Sequence, residues 1–85
     1  MRLDYHKGFR KQYKKFPPKI RERFQQRLLL FVEDPFNPVL GNHQLHGRWD
    51  GFRSIDITGD IRAIYEELDD LAYFVAIGSH SQLYS

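Results

Sequence analysis

The spacing of apolar residues changes partway along this 85-residue chain, and that change limits the fold to one in which helices cover a sheet. From His6 to Phe16, the residues Phe9, Tyr13 and Phe16 recur at intervals of four and three, with Lys7, Arg10, Lys11, Lys14 and Lys15 between them. That is the pattern of an amphipathic helix. Pro17-Pro18 stops it, because proline lacks an N–H donor and turns its predecessor away from helical angles. A second helix starts near Pro18 or Lys19, carries Ile20, Phe24, Leu28, Phe31 and Val32 on one stripe, and runs to about Glu33. Asp34-Pro35 and Asn37-Pro38 end it. Beyond residue 50, Phe52–Ile57, Ile61–Glu66 and Leu71–Ile77 read as strands of a meander, separated by Thr58-Gly59-Asp60 and Leu68-Asp69-Asp70.

The helices form a hairpin whose stripes need cover, and the carboxyl-terminal strands supply it. Met1–Tyr5 is extended and suits an edge strand. With a three-residue first turn, Ile55, Ile57, Ile61, Ala63, Tyr65, Tyr73, Val75 and Ile77 face the helices, while Phe52, Ser54, Asp56, Arg62, Ile64 and Phe74 face away. A two-residue turn would flip the second strand relative to the first. The loop from Asp34 to Asp50 is longer than most in compact domains, which makes it a candidate functional loop. No repeat or linker divides the chain, so residues 1–85 are expected to form a single domain.

Composition narrows the function. A domain this small buries roughly 60–65% of its unfolded surface, and seven Phe, five Tyr and one Trp provide an aromatic core for it. The absence of Cys excludes disulfides, thiolate metal sites and a Cys nucleophile. No apolar stretch approaches the roughly 20 residues of a membrane span, and the opening MRLDYHKGFR has no apolar run after its charges. A soluble, unprocessed, cytoplasmic protein is expected. Charge is unevenly distributed: residues 1–34 hold ten Lys or Arg against four acids, a balance of +6, and the remainder three Arg against seven acids, a balance of −4. Such clustering suits a surface that meets nucleic-acid phosphates, although solvated helical faces also carry charge runs.

Polar groups with chemistry gather in three segments: His43 to Trp49, Asp56 to Arg62, and Gly78 to Tyr84. Neighbouring strands can bring the last two to one end of the sheet, and the long loop can fold over them. Imidazole titrates near neutrality, so His43 and His80 suit proton transfer. With Asp60 they form a set appropriate to RNA cleavage by the ribose 2′-OH, which needs a base, an acid and a cation. Arg62 can be the cation, or it can instead pair with Asp60 or Glu66. His43-x-x-His46 with Asp60 or His80 also offers zinc ligands, but the spacing is unspecific, and no metal or other cofactor is expected. A nonenzymatic module, with Trp49, Phe52 and Tyr84 stacking on bases and the lysine-rich helices tracking a backbone, is a third reading. Trp49 fits a core lid better than a base platform.

The run from His43 through Tyr65, followed by a strand and Gly78-Ser79-His80-Ser81-Gln82-Leu83-Tyr84, resembles the YafQ branch of the RelE toxin superfamily. The order of elements matches over the whole chain, and the specific likeness lies in residues 43–84. The resemblance implies an α+β fold, two amino-terminal helices packed on a twisted, mainly antiparallel sheet of about four strands, with messenger bound on the exposed sheet face. It also implies a toxin that enters the ribosomal A site and cuts messenger RNA without metal, restrained by a cognate antitoxin in a heterotetramer or larger complex. Carried over by position, His43, Asp60 and His80 are catalytic, and Tyr84 positions the RNA with Arg62. Lys11, Lys14 and Lys15 belong to the RNA-holding basic surface. Asp56 stands where the pattern has another catalytic histidine, so Asp56 and His46 are secondary catalytic candidates. The alternatives are a ParE-like gyrase inhibitor, whose relatives lack this histidine set, and an inactive RNA- or antitoxin-binding relative.

Overall fold

The computed structural model describes residues 1–84. Strand β1 (Arg2–Tyr5) is followed by helices α1 (Lys7–Lys14) and α2 (Pro18–Glu33). Then come β2 (His43–Gln44), β3 (Arg53–Asp56), β4 (Ile61–Leu68), β5 (Leu71–Ser79) and the short helix α3 (His80–Tyr84). The sheet order is β1-β5-β4-β3-β2, with β1 parallel to β5 and every other pair antiparallel. The architecture is therefore the expected α+β one, with five strands rather than about four.

Local chemistry explains the helix limits. His6 caps α1 by accepting the Gly8 N–H on Nδ1 at 2.9 Å, and Lys11 and Lys14 sit in the last turn, where cations suit the helix dipole. The helix stops at Lys14, short of the expected Phe16, although Phe16 still packs on the core. Pro18 begins α2 at a first-turn position that needs no N–H. Phe24, Leu28 and Phe31 of α2 are buried, but Val32 is 43% exposed and does not belong to the buried stripe. It lies about 100° round the helix from Phe31, at the flank of the contact.

Phe74 is the centre of the main core. Its ring centroid lies 5.4–5.8 Å from those of Tyr5, Phe9, Phe24, Phe31 and Tyr65, which draws β1, both long helices and β4 onto one side chain. The expected facing of this strand was inverted, for a definite reason. Ile64 pairs with Ala76 but Tyr65 with Phe74, so β5 has one extra residue, Val75, in a bulge. From that point toward Leu71 the alternation reverses. Phe74 and Ala72 pack under the helices, and Val75 joins the opposite side. Tyr73, paired with Glu66, leaves the helix face with it. Ile55, Ile57, Ala63, Tyr65 and Ile77 lie in the helix-side core as expected.

The other face of the sheet carries a second, smaller core of Leu45, Ile64, Ala76 and Leu83, with Trp49, Phe52, Val75 and Tyr84 packed on it. The segment after α2 supplies half of that cover. Pro38–Leu40 forms a single 3-10 turn, β2 pairs with β3, and Gly47–Trp49 forms a second 3-10 turn. A two-residue strand has no alternation to read in sequence, which is why this segment looks like plain loop.

Candidate active site

The strand register places the polar groups. His43 lies opposite Ser54, Asp56 opposite Arg62, and Arg62 opposite Gly78, all on the face turned away from the two long helices. There His43, Leu45, His46, Arg62, His80 and Tyr84 line a pocket of about 370 Å³. Of the residues expected from sequence, the pocket unites His43, His46, Arg62, His80 and Tyr84.

His80 is positioned by a reciprocal cap. The Ser79 N–H donates to Gln82 Oε1 at 2.8 Å, and the Gln82 N–H donates to Ser79 Oγ at 3.2 Å. Ser79-x-x-Gln82 is thus a capping box, which starts α3 at His80. Trp49 Nε1 donates to the Leu83 carbonyl at 2.8 Å and ties α3 to the long connecting segment, so Trp49 is the lid its sequence context suggested. Gly78 lets α3 turn back closely over β5, since a Cβ there would lie 2.9 Å from Gln82 Oε1. The His80 and Tyr84 rings, one helical turn apart, have centroids 4.7 Å from each other.

On the opposite wall, His43 Nδ1 lies 2.8 Å from the Gly41 carbonyl. A carbonyl only accepts, so Nδ1 carries the hydrogen and the lone pair of the neutral ring is on Nε2. Gly41 itself has a left-handed φ of 53°, and any side chain there would strike the Asp56 carboxylate. Asp56 Oδ1 accepts from Arg62 Nε at 3.1 Å, leaving the terminal guanidinium nitrogens without a partner among the described residues. Asp56 does not line the pocket; it orients the arginine that does.

Asn42 steadies the His43 wall, a role that sequence reading missed. Its Nδ2 donates to the Pro35 carbonyl and to the Tyr65 hydroxyl, both at 2.9 Å, and its Oδ1 accepts from Arg53 Nε at 2.8 Å. Burial pushes the Tyr65 phenol above its ordinary 10.0, with the Asn42 hydrogen bond acting in the opposite direction. Two further hydroxyls, Ser54 Oγ and Tyr84 Oη, are buried with no hydrogen-bond partner among the described residues. Buried polar groups are rarely left so, and Tyr84 belongs to the pocket wall.

The remaining candidates lie outside the pocket lining. Asp60 is exposed in the β3–β4 turn, where Thr58 Oγ1 accepts from the N–H groups of Asp60 at 3.2 Å and Ile61 at 2.9 Å. The last rung between β4 and β5 joins Ile61 to Ser79, so Asp60 and His80 each come next beyond that rung on the same rim. Lys11 and Lys14 are exposed on α1 and Lys15 at its C-cap, and α1 packs on the helix-covered side of the sheet. Lys14 borders a groove of about 460 Å³ with Arg10, Arg21 and Tyr13, and Lys15 lies beside Gln12 and Gln82. Among the described residues, no group of three or more His, Asp or Glu is arranged to hold a metal ion.

The family model described as "Bacterial toxin of type II toxin-antitoxin system, YafQ" matches residues 1–85. Among solved structures, the chain is similar to YafQ from E. coli, at 23% identity over all of both chains with a TM-score of 0.84. It is also similar to the E. coli DinJ–YafQ complex, at 26% identity over all of both chains with a TM-score of 0.74. A YoeB/ParE toxin from Agrobacterium tumefaciens shares the fold at 18% identity, covering 94% of this chain and 99% of that one, with a TM-score of 0.77. No curated protein matches.

Proposed function

The chain belongs to the YafQ family of bacterial type II toxins, and from that premise we propose that it is a metal-independent endoribonuclease that cuts messenger RNA in the ribosomal A site. The observation that carries this reading is the convergence of three imidazoles, a guanidinium and a phenol on one pocket. His43 Nε2 takes the proton of the ribose 2′-OH, the 2′-oxygen attacks the phosphorus, and the bond to the 5′-oxygen breaks. His80 protonates the departing 5′-oxygen. The terminal N–H groups of Arg62 hold the charged phosphorane, and Tyr84, on the pocket wall, positions the bound nucleotide. Asp60, which comes next beyond the same β4–β5 rung as His80, is the carboxylate of the set and orients that imidazole when message is bound.

The lysines of α1 lie away from the pocket, which suits contact with ribosomal RNA phosphates rather than with the scissile bond. A relative has been solved as a DinJ–YafQ toxin-antitoxin complex, and this toxin accordingly works in the cytoplasm with a cognate antitoxin, in a heterotetramer or larger assembly. The imidazole cluster supports cutting over gyrase binding. Expression without antitoxin in a bacterial host is expected to stop protein synthesis and growth within minutes, read by amino-acid incorporation. Undiminished incorporation at verified levels of folded protein would refute the proposal.

A further inference from the structure

We propose that His46 is a catalytic residue of this pocket, an imidazolium that holds a nonbridging oxygen of the scissile phosphate; the proposal rests on the RNA-cleaving reading above. The pocket is short of fixed positive charge. Arg62 shares its charge with Asp56 at 3.1 Å. His43 begins the reaction neutral, because its Nε2 must accept a proton while Nδ1 is held by the Gly41 carbonyl. His80 gives its proton away during the step. A phosphorane with two negative nonbridging oxygens therefore needs a second cation beside Arg62, one that keeps its charge throughout.

His46 meets that need by position. Its neighbour Leu45 is buried and donates its N–H to the Phe52 carbonyl at 2.9 Å, which fixes the backbone from which the ring projects. The ring makes no cap to the 3-10 turn that follows and has no partner among the described residues, yet it lines the same pocket as Arg62 and His80. The titratable or charged groups that share the pocket with it are His43, Arg62, His80 and Tyr84. Among the described residues none is a carboxylate, so the ring is open to an incoming phosphate oxygen. During the reaction the bond from phosphorus to the 2′-oxygen forms and the bond to the 5′-oxygen breaks. His43 gains one proton, His80 loses one, and His46 keeps its own.

The test is single-turnover cleavage on programmed ribosomes across pH, with wild type, His46→Gln and His46→Arg. The glutamine variant should cut about 10²-fold more slowly, the usual effect of removing one donor to a developing oxyanion. The arginine variant, permanently charged, should stay within about tenfold of wild type. Two groups must be protonated in wild type, His46 and His80, so its rate should fall on the alkaline side with a limiting slope of two. Only His80 remains to titrate there in His46→Arg, and the slope should drop to one. Wild-type rate and slope in the glutamine variant would overturn the proposal, as would an arginine variant as slow as glutamine. Either failure leaves the nuclease reading standing. Uncut message with wild type would overturn both.

Discussion

Replacing His80 with alanine is expected to lower the cleavage rate by about 10²–10⁴-fold, the range associated with loss of a positioned proton donor. The side chain is exposed, at the first position of α3, and its one ring contact among the described residues is with Tyr84. The capping box uses Ser79 and Gln82, and the tie to the long segment uses the Leu83 carbonyl, so neither depends on the imidazole. Stability should therefore move by no more than about 0.5 kcal/mol, as for exposed positions generally. Single-turnover rates on programmed ribosomes and a thermal melt measure the two effects separately. A variant that melts normally and cuts at the wild-type rate would remove His80 from the mechanism.

Phe74→Ala should do the reverse and disable the fold. The ring is fully buried among five other aromatic rings. Truncating a buried phenylalanine costs about 3–5 kcal/mol, against the roughly 5–15 kcal/mol that holds a small domain together. The urea midpoint should fall steeply, and much of the protein should be unfolded at growth temperature. Tyr73→Ala, one residue earlier and only half-buried, should cost far less. The pair also tests the bulge: without Val75 as an extra residue, Tyr73 would be the core position and the ranking would reverse. Equal, small shifts in both variants would show that this cluster does not anchor the sheet.

The facing of β5 shows where sequence reading reaches its limit. Alternation of Tyr73, Val75 and Ile77 was visible, but a bulge adds one residue to one strand without a required residue type at this site, so nothing in the alternation announces it. By contrast, the two helices were legible because Pro17-Pro18 and Asp34-Pro35 punctuate strong apolar stripes. The site divides in the same way. His43, Arg62, His80 and Tyr84 could be named from chemistry and resemblance, since each sits on or beside a regular element. The Ser79-x-x-Gln82 capping box is the sequence signal that α3 begins at His80. Gly41 and Asn42 could not have been found that way. Their roles come from a carboxylate and a phenol, Asp56 and Tyr65, that only the folded register brings beside them.

Asp56 illustrates how structure reassigns a residue without discarding it. As a bare carboxylate in sequence it competes for an acid or base role. With Arg62 Nε on one side and Gly41 pressed against the other, it aims the guanidinium instead. In the proposed mechanism the labour is divided: His43 receives a proton, His80 supplies one, and Arg62 carries charge.

That division makes a specific statement about products, and the chemistry of the cut ends is the most direct check on it. Ribosome-bound message incubated with the wild-type protein should yield upstream fragments ending in a 2′,3′-cyclic phosphate or its 3′-phosphate hydrolysis product, and downstream fragments beginning with a 5′-hydroxyl. Fragments carrying 3′-hydroxyl and 5′-phosphate ends would mean that water rather than the ribose hydroxyl attacks, and would contradict the account.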